Sequence, residues 1–118
     1  MAEVLNPVAI EQAIREAVAT VTEGVEQVTI RLSAFREAER KFDLKWAKTY
    51  MSSTGPVEQR KQTCIIETEE EKLALDLAEV AYKYADRRTR AAESTLSAYQ
   101  TLSKSVTAMY QTAGRGEF

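Results

Sequence analysis

Apolar residues in the first part of the chain recur at Ile10, Ile14, Ala17, Val21, Val25, Val28, Leu32, Phe35, Phe42 and Trp46. Steps of three and four average the α-helical repeat, so the pattern predicts one helix from about Pro7 to about Met51. Asn6 is a good N-cap, and Pro7 suits the first helical position, where its missing N–H is not needed. Gly24 interrupts the stripe. Glycine inside a helix costs roughly 1 kcal/mol against alanine, so a neighbour should offset it.

The strong break is "SSTGPVEQ", with a turn expected at Ser52–Pro56. Gly-Pro is a turn signal, proline can open the next helix, and Glu58 suits its first turn. A second helical pattern then runs from Pro56 to about Thr112. Its first stripe is Ile66, Leu73, Leu77, Val80, Tyr84, Ala91, Thr95, Ala98, Leu102, Val106 and Met109. It is interrupted by Glu69 and Glu70 and by Arg87 and Arg88, and a break near either pair stays open. A second apolar line follows Leu75, Ala78, Tyr82, Ala85, Ala92, Leu96 and Tyr99.

These patterns predict an all-α protein: a long antiparallel helical hairpin forming a helical bundle, with an extra break near Gly24 or Arg88 left open. If the chain folds back at about Thr54, Phe42 meets Ile66, Phe35 meets Leu73, Leu32 meets Leu77, Val28 meets Val80, and Gly24 meets Tyr84. Arg36, Arg40 and Lys41 come level with Glu67, Glu69, Glu70 and Glu71. Glu16, Glu23 and Glu26 come level with Lys83, Arg87, Arg88 and Arg90. A lone hairpin buries one stripe per helix. The second line therefore asks for cover, from a helix folded back or from a second hairpin, as a homodimer. Residues 1–112 read as one domain and 113–118 as a disordered tail.

Composition narrows the function. The net charge of −2 offers no global polycation for nucleic acid or membrane. There is no histidine and a single cysteine, Cys64, which removes the commonest general base and any Cys-rich zinc site within the chain. The four glycines, Gly24, Gly55, Gly114 and Gly116, form no phosphate loop. Met1 to Asn6 has no basic leader pattern, and no apolar run approaches the ~20 residues of a spanning helix. The expectation is a cytoplasmic protein without cofactor, off the membrane, and not an enzyme.

Three local patterns carry possible chemistry. "YKYADRRTR" sets Lys83, Arg87, Arg88 and Arg90 beside Tyr82 and Tyr84, a mixture that suits single-stranded nucleic acid; the same arginines could instead face Glu23 and Glu26. "ETEEE", Glu67 to Glu71, splays carboxylates around a helix and reads as a solvated face rather than a cation site. Ser103 and Ser105 flank Lys104, but adjacent helical residues point apart. The closing "AYQTLSKSVTAMY" continues the core stripe, and Leu75, Tyr82, Leu96, Tyr99 and Tyr110 form the candidate face for a partner helix.

The stretch "KFDLKWAKTYMSSTGPVEQRKQ…AYKYADRRTRAAESTLSAYQTLSKSVTAMY" resembles small all-helical proteins of tailed bacteriophages and prophages, especially of actinobacteria. The likeness covers Phe42 to Tyr110. It rests on the aromatic and basic segment Phe42 to Tyr50, the turn at Gly55 to Glu58, and the closing helix. It implies early or accessory phage genes, some beside recombination genes and others expressed from resident prophages that exclude competing phages. Two functions follow: an interaction module with a protein partner of phage or host origin, or an accessory single-stranded nucleic-acid binder of phage recombination.

Overall fold

The computed structural model describes residues 6–116. Residues 1–5, most of the stretch without a basic leader pattern, and Glu117 and Phe118 lie outside it. The protein is all-α: α1 spans Pro7–Ser52, α2 Val57–Glu67 and α3 Glu69–Gly116. The chain divides into two compact units, a terminal one of Met1–Glu26 with Arg87–Phe118 and a central one of Gln27–Asp86.

Helix α1 begins where its cap signal lies. Asn6 Oδ1 accepts the Ala9 N–H at 2.8 Å, satisfying one of the donors a helix start leaves free. The helix runs unbroken through Gly24, and α3 runs unbroken through Arg88, so those two candidate breaks are not used. Backbone hydrogen bonding needs no side chain at Gly24, and arginine is a good helix former. The break left open near Glu69 and Glu70 is the one that occurs, at Thr68. Thr68 sits at φ −104°, ψ 16°. Its hydroxyl and its N–H both donate to the Cys64 carbonyl, at 2.6 and 3.0 Å. Such back-bonding by threonine disturbs a helix locally. Lys72 N–H still bonds the Thr68 carbonyl at 2.9 Å, so α2 passes into α3 with little break in the hydrogen-bond ladder.

The central unit holds the turn at residues 53–56. Gly55 has φ +105°, a left-handed conformation that favours glycine. The end of α1 is closed by side chains. Ser52 and Ser53 hydroxyls donate to the Thr49 carbonyl at 3.1 and 2.5 Å. Arg60 Nη2 donates to the Tyr50 carbonyl at 2.7 Å, and the guanidinium lies 4.2 Å from the centre of the Tyr50 ring. A cation here also complements the negative end of the helix dipole. One turn further on, the buried Cys64 thiol donates to the Trp46 carbonyl at 3.7 Å. Lys72 Nζ lies 5.6 Å from the Phe42 ring, and Phe35 stacks on Tyr82 with centroids 5.9 Å apart. As positions on α1 decrease, their partners on α2 and α3 increase, so the segments are antiparallel within this unit.

The partners differ from those the folded-back sequence predicts. Phe35 meets Tyr82, not Leu73, and in the terminal unit Gly24 meets Thr89, not Tyr84. A β-carbon added at Gly24 would sit 2.4 Å from Thr89 Oγ1. The turn lies where the sequence places it, but the helix is interrupted at Thr68, and between Leu73 and Tyr99 the face of α3 turned inward is the other one. Buried apolar side chains are few among the described residues: Ile10, Ala17 and Val106 in the terminal unit and Cys64 in the central one.

Candidate interaction surface

Helix α3 carries two apolar lines, and between Leu73 and Tyr99 the structure exchanges the roles predicted for them, whereas Leu102 and Val106 of the predicted core stripe stay half-buried and buried. Leu75, Ala78, Tyr82 and Ala85 are half-buried in the central unit, with Tyr82 on Phe35. In the terminal unit Ala92, Leu96 and Tyr99 are half-buried on the same line as the buried Thr89. Leu75, Tyr82, Leu96 and Tyr99 of the candidate partner face are thus half-buried, with Tyr82 stacked on Phe35. Tyr110 alone of that set is exposed. The physical reason is size. Alanines at 78, 85 and 92 let two backbones approach closely, and helix separation follows the side chains at the contact.

The bulkier line is left outside. Leu73, Leu77, Val80 and Tyr84 are between 60 and 65% exposed, and Ile66 at the end of α2 is exposed too. At 3.6 residues per turn this outer line lies about 150° around α3 from the inner one. Its spacing of four, three and four is that of a coiled-coil seam. The alanine content of the inner line is the signal that could have found it.

Arg36, Arg40 and Lys83 pair along their own helices, where the sequence had them crossing between helices. Arg36 bonds Glu39 at 3.1 Å, and Arg40 bonds Glu37. The Arg40 guanidinium, by its hydrogen bond and then its charge, holds the Glu37 carboxyl below the usual range. Lys83 bonds Glu79 at 3.5 Å, and Lys72 bonds Asp76 at 3.3 Å. Of the candidate nucleic-acid patch, Lys83 belongs to the central unit and Arg87, Arg88 and Arg90 to the terminal one, and all four are exposed. In the central unit Tyr84 is exposed like Lys83, whereas Tyr82 is turned inward.

Among the described residues no group of three or more acids or cysteines is placed to hold a metal ion. Nor is any helix there long and apolar enough to cross a membrane. Ser103 is half-buried, and Lys104 and Ser105 are exposed. Comparison with protein families, with curated proteins and with solved structures finds no match.

Proposed function

We propose that this chain is a non-enzymatic protein-interaction module, encoded by a phage or prophage and working in the cytoplasm. It would act in exclusion of competing phages or in modulation of the host, with its helices contributing to a helical bundle. The observation that carries the reading is the outer line of α3: four large apolar side chains at seam spacing, exposed on one helix. Contiguous apolar surface of this kind marks interaction sites, while single exposed apolar residues are ordinary. The phage setting comes from the sequence likeness alone, and the cytoplasm from the single cysteine and the absence of a basic leader pattern or long apolar run in the sequence.

A second reading, an accessory single-stranded nucleic-acid binder, is favoured by the exposure of Lys83, Arg87, Arg88 and Arg90 next to Tyr84. Affinity-tagged chain in a bacterial lysate separates the two, with and without nuclease, beside a Leu77→Glu/Val80→Glu variant. A partner held by the wild type, lost by the variant and indifferent to nuclease supports the interaction module. Retention that needs nucleic acid, falls steeply with salt and is abolished by changing Arg87, Arg88 and Arg90 together to alanine overturns it in favour of the second reading.

A further inference from the structure

We infer that the occupant of the outer line of α3 is the same line of a second copy, laid antiparallel. The inference rests on the outer line being an interaction surface, and it names the partner. With Leu73 and Val80 at one kind of seam position and Leu77 and Tyr84 at the other, antiparallel pairing alternates the two kinds. Leu77 of one copy then stacks on Val80 of the other, and Leu73 on Tyr84, in four apolar layers related by a two-fold axis.

Charge selects this arrangement. The seam is flanked by Asp76 in its first half and Lys83 in its second, both exposed. Antiparallel pairing sets Asp76 of each copy beside Lys83 of the other. Ala74 and Ala81, on the opposite flank, meet each other and leave room for close approach. Parallel copies would instead bring Glu70, at the start of this length, to Glu70 of the other copy, and like charges in register count against that orientation. The ion pairs that Asp76 and Lys83 make along their own helix, to Lys72 and Glu79, are exposed and weak, so they do not prevent the exchange. Four layers on one helix fall short of the ~800 Å² per partner of a standard stable interface, so the dimer is reversible.

The test is sedimentation equilibrium of the full chain from about 1 to about 300 µM, with helicity followed by circular dichroism. The wild type is expected to pass from monomer to dimer across this range, and Leu77→Glu/Val80→Glu to stay monomeric with unchanged helicity. Asp76→Lys and Lys83→Asp each turn two attractive contacts repulsive and are expected to weaken the dimer roughly tenfold. Mixed in equal amounts, these two variants are expected to recover wild-type association, because each supplies the other's missing charge. A wild type that stays monomeric overturns self-pairing, and so does a dimer indifferent to Leu77→Glu/Val80→Glu. A mixture no stronger than its components overturns the antiparallel orientation, and with it the inference. If the wild type is monomeric and Leu77→Glu/Val80→Glu still loses a captured partner, self-pairing falls and the surface stands. If it is monomeric and capture is the same for both chains, both fall.

Discussion

Gly24 and Thr89 illustrate how one contact sets the value of a residue. An exposed helical glycine changed to alanine would gain roughly 1 kcal/mol from propensity. Here the new β-carbon would lie 2.4 Å from Thr89 Oγ1, on a buried side chain. Forcing an atom into a filled contact costs about 1–3 kcal/mol, so Gly24→Ala is expected to destabilise by about 1 kcal/mol in urea unfolding. In a Thr89→Ala background the same change is expected to be neutral or favourable. The comparison is made within each background, so whatever Thr89→Ala costs alone cancels. A gain from Gly24→Ala in the wild-type background would show that the helices do not meet there. That glycine needed a close neighbour was readable in the sequence, because an unexplained glycine in a helix asks for one. The identity of the neighbour was not, because it depends on which face of α3 points inward.

At the level of the element, the apolar stripe of α1 and its buried face coincide almost residue by residue. Ile10, Ile14, Ala17, Val21, Val28, Leu32, Phe35, Phe42 and Trp46 are buried or half-buried, with Val25 the exception. Helix α1 has one apolar face, and periodicity suffices when there is one candidate. Helix α3 has two faces of equal period, and period cannot choose between them. Bulk pointed to the outer line, and packing selected the alanine-rich one. The candidate surface was missed for the same reason, since whichever line packs leaves the other free. The closure of α1 was not readable either, because Arg60 looks in sequence like any surface base. Arg60→Ala removes a charged hydrogen bond to the Tyr50 carbonyl and a cation–π contact. It is expected to destabilise the chain by about 1–2 kcal/mol, measured by chemical denaturation. Arg60→Lys keeps the charge but loses the planar stacking, and is expected to fall between wild type and alanine.

At the scale of the molecule, each unit holds few buried apolar side chains among the described residues, so stability there is distributed along helix pairing. In such an arrangement the order in which contacts form follows from sequence distance. The bond from Arg60 to Tyr50 joins residues ten apart, and that from Cys64 to Trp46 joins residues eighteen apart. Closing so short a loop takes little chain entropy compared with bringing Gly24 to Thr89. The corner at residues 50–60 is therefore expected to act as the folding nucleus, with pairing of the more distant segments following it. Stopped-flow refolding distinguishes the two ends of the process. Arg60→Ala should slow folding by roughly tenfold while leaving unfolding nearly unchanged, whereas Gly24→Ala should mainly speed unfolding. A side chain that closes one helix end would then also set the pace at which the chain reaches its native state.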